Sequence, residues 1–272
     1  MTWLVTGASS GVGRVLAVAL SGAGHRVLLT GRNKAWLADT QRWCLGSEAH
    51  AADLADPASV DQLEAWVRDQ VGHGSTSQGL AGIVHAAGLM AWDSPATASG
   101  WSLIPAVNAV APWRLTRKLE DLLLVSEHPR VLFIAGAAFT LKGVLPHLEN
   151  WKGEQKGRGL ALALEAASAK VWMARELHRR WAGKGSTFAF HPGFIKSHLA
   201  DGLPFPLSFL GCLAQPFLAA RCFNGEFLAL DPAAPLLSGN LVEGRKAKPE
   251  CPDGPGSEAQ ASFLSSWISE LD

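Results

Sequence analysis

The stretch Thr6-Gly7-Ala8-Ser9-Ser10-Gly11-Val12-Gly13 decides how the rest of the chain is read. It is entered from the short apolar run Met1–Val5 and leaves into a helical pattern through Leu20. Small residues there let the backbone turn tightly and approach a pyrophosphate. The following helix N-terminus offers free N–H groups and a partial positive charge. A tight turn without a ligand is the plain alternative, and the strand–turn–helix setting favours a nucleotide.

Outward from this turn, strands and helices alternate. Arg26–Thr30 is an apolar run stopped by Gly31, and a helical pattern covers Lys34–Cys44. His50–Leu54 reads as a short strand. Pro57 opens a helix through Val71 with Leu63, Trp66 and Val67 on one face. Strands follow at Leu80–His85, Val131–Ala135, Ser186–Phe190 and Ser238–Val242. Trp101–Val125 and Gly159–Trp181 read as long helices, and Ser257–Leu271 as a last one. This order means crossover connections, hence an α/β fold: a single Rossmann-type doubly wound parallel sheet with helices on both faces. Residues 1–272 form one domain on this reading. Three stretches break the rhythm. Gly136–Arg158 reads as a polar loop. Gly202–Ala220 carries no charge but three prolines, which favours a substrate lid or membrane-surface patch over a spanning helix. Lys246–Gly256 reads as a surface loop heading a C-terminal tail, 246–272.

Composition narrows the function. The 272 residues carry 24 Lys+Arg and 24 Asp+Glu, so no excess of basic charge points to nucleic acid. The four cysteines form no CxxC pair and no cluster at zinc spacing, so no metal site is expected. Reduced thiols and an N-terminus that opens directly into a strand imply a cytoplasmic protein without a signal peptide. Tyrosine is absent altogether, which excludes any mechanism that needs a phenol.

The glycine spacing TGxxxGxG resembles that of the short-chain dehydrogenase/reductase family, and further motifs continue the resemblance in order. Asp53-Leu54 stands where the family meets the adenine ring. His85-Ala86-Ala87-Gly88 is similar to the strand-four motif Asn-Asn-Ala-Gly, with both Asn positions replaced. Asn108 matches the family's structural and proton-relay Asn. His191-Pro192-Gly193-Phe194-Ile195-Lys196-Ser197 resembles the Pro-Gly segment that holds the nicotinamide, with Ser197 in place of the usual Thr. Details of the tail and of the helix around Lys170 look most like the retinol-dehydrogenase and protochlorophyllide-reductase branch. That branch implies NADP(H), lipophilic substrates and a homo-oligomer through the helices around Trp101–Val125 and Gly159–Trp181.

The resemblance implies a cofactor set of Thr6, Gly7, Ser9, Ser10, Gly11, Val12, Gly13, Arg32, Asn33, Asp53, Leu54, His85, Ala86, Ala87, Lys170, Pro192, Gly193, Ile195 and Ser197. Chemistry supports the 2′-phosphate: Thr30-Gly31-Arg32-Asn33 ends the second strand with a guanidinium where a carboxylate would read a free ribose hydroxyl. The implied catalytic groups are only half present. Lys170 and Asn108 remain, but Gly136 stands for the family's Ser and Ala166, four before Lys170, for its Tyr. Candidate replacement acids are Glu165, Ser168, Thr140, His147 and Glu149. Trp92 and Trp151 are candidates to line a pocket for a flat ligand. The expected activity is an NADP(H)-dependent oxidoreductase with altered proton transfer. The alternatives are a non-redox enzyme on the same fold and a degenerate cofactor-binding sensor or scaffold. The expected partner is a lipophilic small molecule, without a transmembrane span and with peripheral membrane contact open.

Overall fold

A computed structural model describes residues 1–72, 79–196, 204, 219–252 and 257–271. Eight strands form one sheet in the order β3-β2-β1-β4-β5-β6-β7-β8. They are β1 (Thr2–Thr6), β2 (Arg26–Gly31), β3 (Glu48–Ala51), β4 (Leu80–His85), β5 (Arg130–Ile134), β6 (Ser186–Phe190), β7 (Asn240–Glu243) and β8 (Lys246–Lys248). Every neighbouring pair is parallel except β7–β8, which is antiparallel. The anticipated parallel sheet therefore gains one reversed edge strand. Lys246–Lys248 was expected as loop. It is too short and too lysine-rich to announce itself, and lysines suit an exposed edge.

The central strands are buried along their whole length, as the runs of Val, Leu and Ile require of a sheet covered on both faces. One apolar core joins the sheet to α1 (Gly11–Gly22), α2 (Lys34–Gln41) and α9 (Phe223–Leu230), through Leu16, Leu20, Leu37 and Leu228. The second lies on the other face, under α3 (Pro57–Gly72), α5 (Ala111–Lys118), α6 (Glu120–Val125), α8 (Gly159–Trp181) and α10 (Glu258–Leu271). In α3 the buried stripe is Val60, Leu63, Val67 and Val71, and the Asp56 carboxylate accepts from Ala58 N at its start. α8 stops where Ala182 turns left-handed at φ 47°.

Some boundaries differ from the sequence expectation. The strand expected at His50–Leu54 lies at Glu48–Ala51, so Asp53 stands just beyond it in the turn before α3. The helix expected over Trp101–Val125 begins at Leu103 as α4 (Leu103–Pro105), widens into a π turn at Ala106–Val110, and is broken again at Leu119. Pro112 lacks the N–H that would continue a regular ladder, which accounts for the irregularity just before it. The Gly136–Arg158 stretch contains α7 (Ala138–Leu141) and a 3-10 turn at Leu148–Trp151. The tail is no loose appendage. Arg175 of α8 donates to Pro249 O and Cys251 O at 2.7 Å each and to Gln260 Oε1 at 3.1 Å. Phe263 and Trp267 of α10 pack on Trp172 and Trp151.

Candidate active site

The strand order reverses between β1 and β4, and at such a switch point an open α/β sheet holds its ligand beyond the carboxyl ends of its strands. The glycine turn lies there. Gly7 is left-handed at φ 65°, and a Cβ on it would come within 2.6 Å of Ala87 N. A Cβ on Gly13 would come within 2.3 Å of Gly7 O, so only glycine lets α1 start this close under the turn. The backbone is braced from three sides. Ala8 N donates to Thr30 O at 2.9 Å, Thr40 Oγ1 donates to Ala8 O at 2.9 Å, and Ala87 N donates to Thr6 Oγ1 at 3.1 Å. Ser10 starts α1 without a side-chain cap, and no acidic residue stands in the first turn. The first N–H groups of α1 are thus left for an anion.

At the end of β2, Arg32 is exposed and makes no hydrogen bond or ion pair among the described residues. Asn33 is differently employed: its Oδ1 accepts from Trp36 N at 3.0 Å and caps α2. Asp53 is exposed, with its carboxylate accepting from Ala55 N at 3.0 Å, while Leu54 is turned into the core. His85 does not reach the cleft. Its ring is 1% exposed, stacked on Phe133 at 5.0 Å, and 2.7 Å from Thr116 Oγ1. Thr116 Oγ1 donates to Pro112 O, so Nε2–H of His85 donates to Thr116, and Nδ1 is buried with no partner among the described residues. Burial, and then the charge of Lys170, push the imidazole down to about 3, so the ring is neutral. The side chain of strand four's last residue points to the α5 face, which spacing alone could not separate from the cleft.

Asn108 sits in the π turn with both ends of its amide occupied. Leu89 N donates to Oδ1 at 2.9 Å and Nδ2 donates to Leu89 O at 3.0 Å. It therefore fixes the segment after β4, carrying Ala86 and Ala87. Lys170 is 5% exposed, and its Nζ donates to Ile134 O at 2.9 Å. Burial pulls its ammonium down to about 8. Beyond the end of β5, Gly136 leaves room for little: a Cβ there would meet Thr140 Oγ1 at 3.0 Å and Leu141 Cδ2 at 3.1 Å. Ala166 is fully buried.

Three of the five candidate acids, Glu165, Thr140 and Ser168, are tied into the fold or enclosed by it. Glu165 accepts from Trp151 Nε1 at 3.0 Å, Asn150 Nδ2 at 3.2 Å and His147 N at 3.3 Å. It tethers the loop beyond α7 to α8. Thr140 Oγ1 donates to Ala137 O at 2.7 Å, and Ser168 is fully buried. His147 and Glu149 are exposed. Trp151 is a core residue rather than a pocket lining, held by Glu165 and α10, whereas Trp92 is half-exposed. After β6, Gly193 takes φ 86° and Ile195 is buried. Ser197 lies outside the described residues. So does most of Gly202–Ala220, of which only Pro204, Ala219 and Ala220 are described.

With this geometry in place, similarity to known proteins becomes specific. The family model "short chain dehydrogenase" matches residues 1–144. A candidate daunorubicin C-13 ketoreductase, DnrU, of Streptomyces sp. (strain C5) is 27% identical, over 95% of this chain and 87% of its own. Human retinol dehydrogenase 13 is 26% identical, over 94% of this chain and 80% of its own. Among solved structures, the Pseudomonas aeruginosa RhlG/NADP active-site complex superposes with a TM-score of 0.65 at 23% identity, covering 89% of this chain and 93% of that one. A short chain dehydrogenase of Salmonella enterica gives 0.64 at 20% identity, covering 90% and 96%. The glycine turn at the switch point, the eight-stranded sheet and the family match agree: the chain belongs to the short-chain dehydrogenase/reductase family, among relatives that include the retinol dehydrogenases.

Proposed function

We propose that the chain is an NADP(H)-dependent oxidoreductase of atypical site, acting on a lipophilic or conjugated small molecule. The observation that carries the cofactor is the pairing of an uncapped α1 N-terminus with an unpaired Arg32 at the end of β2. The first suits a pyrophosphate and the second a 2′-phosphate. Thr6, Gly7, Ser9, Ser10, Gly11, Val12 and Gly13 would hold the diphosphate, Asp53 the adenine end, and Ala86, Ala87, Lys170, Pro192, Gly193, Ile195 and Ser197 the nicotinamide end. The bound cofactor would supply hydride chemistry. Lys170 would bind the nicotinamide ribose and hold a proton at Nζ, while Asn108 keeps the β4 exit in place. The apolar substrate class is supported by Phe139 and Phe194, 80% and 76% exposed just beyond the neighbouring strands β5 and β6. It also fits relatives named for retinol and for a daunorubicin ketone.

Calorimetric titration with NADPH and NADH tests the cofactor. NADPH should bind at least about tenfold more tightly, as expected for a guanidinium on a phosphate. Equal affinities would remove the argument. A second possibility, a protein that binds the cofactor without turning over a carbonyl, is favoured by one feature: Ala166 is enclosed where a proton donor would stand. The buried free thiols of Cys44, Cys222 and Cys251 support a reducing, cytoplasmic setting. Among the described residues no helix is long and apolar enough to cross a membrane. A homo-oligomer through the helices of Trp101–Val125 and Gly159–Trp181 would rest on α6, where Leu124 and Val125 are exposed, because Ser168–Leu177 of α8 is enclosed by its own chain.

A further inference from the structure

We propose that Asn224 is a positioning residue for the nicotinamide end of the cofactor, acting through the Pro-Gly segment. The proposal rests on the cofactor assignment above. β6 ends at Phe190, and the backbone beyond it leaves the ladder, so its polar groups need other partners. The first residue out is His191. Its N–H donates to Val242 O at 3.1 Å and its carbonyl accepts from Asn224 Nδ2 at 2.8 Å. The same Nδ2 donates to Val242 O at 3.1 Å, which uses both of its hydrogens. Asn224 Oδ1 accepts from Arg245 N at 3.4 Å. One carboxamide, 9% exposed on α9, thus joins the exit of β6, the end of β7 and the β7–β8 turn.

Beyond His191 the segment is held at two further points, one local and one at Ala219. Gly193 N donates to His191 Nδ1 at 2.9 Å, so the segment's turn is hung on the residue that Asn224 holds. Cys222 Sγ lies 3.5 Å from Pro192 O. Ala219 N donates to Phe194 O at 2.8 Å and Lys196 N to Ala219 O at 3.3 Å, a parallel bridge centred on Ile195. In a parallel bridge the central residue directs its own N–H and C=O to the opposite side. Ile195 is 6% exposed, and among the described residues those two groups take no partner. They are the groups an amide such as the nicotinamide carboxamide can pair with. Their placement is shared between the Ala219 bridge and the turn hung on His191, and His191 is placed by Asn224.

The test separates the two halves of the cofactor. Asn224→Asp keeps the size and the acceptor for Arg245 N but sets an oxygen against His191 O and Val242 O. Calorimetry is run with NADPH and with adenosine 2′,5′-bisphosphate, which lacks the nicotinamide half. NADPH affinity should fall about tenfold, the worth of one lost hydrogen bond, and the bisphosphate by less than about twofold. A parallel loss of both ligands, or no loss of either, would overturn the proposal, since a merely structural amide cannot tell the halves apart. If Asn224→Asp does not fold, Asn224→Ser, which keeps one donor, must show the same split in weaker form. Wild-type protein that binds neither ligand would refute the cofactor assignment itself, an outcome distinct from a failed split.

Discussion

The two sides of the C-terminal edge of the sheet are built to different standards. At the β1–β4 end two glycines are accounted for by close approaches: a Cβ on Gly7 or Gly13 would collide with backbone, and the turn is tied to β2, α2 and the β4 exit. At the β5–α8 end the backbone is equally ordered, but the side chains that would do chemistry are missing. Gly136 and Ala166 stand there, and Glu165, Thr140 and Ser168 are committed to the fold or enclosed by it. Binding geometry and reaction chemistry are separable within one fold, and on the reading proposed above this chain keeps the first and alters the second.

The largest effect that could break this contrast is turnover itself. A ketone reduced by hydride leaves an oxyanion that needs donors, each typically worth on the order of 10²–10³ in rate, and a general acid worth roughly 10²–10⁴. Without them, reduction of generic lipophilic aldehydes or ketones should fall at least about 10⁴-fold short of an ordinary dehydrogenase, read from NADPH absorbance. Rates of roughly 10 per second would mean that a replacement acid exists and that the contrast is false. Reinstating the missing pair is no simple repair. Gly136→Ser must push Thr140 and Leu141 aside, and a phenol at position 166 must displace whatever encloses Ala166. Ala166→Tyr should cost about 1–3 kcal/mol in urea unfolding.

A smaller effect sharpens the contrast at its one surviving group. Lys170 carries its ammonium in the interior, where burial lowers it from 10.5 to about 8. At 1.36 kcal/mol per pH unit, this charge costs the fold on the order of 3 kcal/mol at neutral pH. The sign follows from proton counts. Below about 8 both folded and unfolded chains carry the proton and the cost is constant. Between about 8 and 10.5 the folded chain releases it first, so stability rises with pH. Lys170→Met should therefore unfold at higher urea than wild type at neutral pH, with the gap closing toward pH 10, while its NADPH affinity falls. A variant less stable than wild type at neutral pH would show that Lys170 is a structural donor to Ile134 O and not a charge retained for a ligand.

Legibility in the sequence followed the same divide. The glycine turn, the alternation of strands and helices and the long α8 are local patterns, and they stand where spacing puts them. What spacing could not show depends on contacts far along the chain. His85 looks like a cleft residue until the α5 face claims its ring. Trp151 looks like a pocket wall until α10, more than a hundred residues later, packs over it. Glu165 looks like a free acid beside the vacant Tyr position until the loop at His147–Trp151 folds back onto it. The loss of the Tyr needed no structure at all, since the composition contains none.

The smallest expected effect divides two neighbours that sequence alone treats as one. Arg32 and Asn33 both follow β2, and the family resemblance puts both in the cofactor set. Their environments differ. The Asn33 carboxamide is already used, accepting from Trp36 N at the start of α2, whereas Arg32 has no partner among the described residues. Removing a helix cap typically costs about 1 kcal/mol. Asn33→Ala should lower stability by about that much and leave the ratio of NADPH to NADH affinity within about twofold. Arg32→Asp should do the opposite. An exposed side chain without contacts contributes little to folding, so unfolding should move by less than about 0.5 kcal/mol. The affinity ratio should invert, because a carboxylate repels the phosphate and accepts from a ribose hydroxyl. If Asn33→Ala shifts the ratio as much as Arg32→Asp, the cap is secondary and both residues read the cofactor. If neither shifts it, selectivity lies elsewhere on the β1–β4 side.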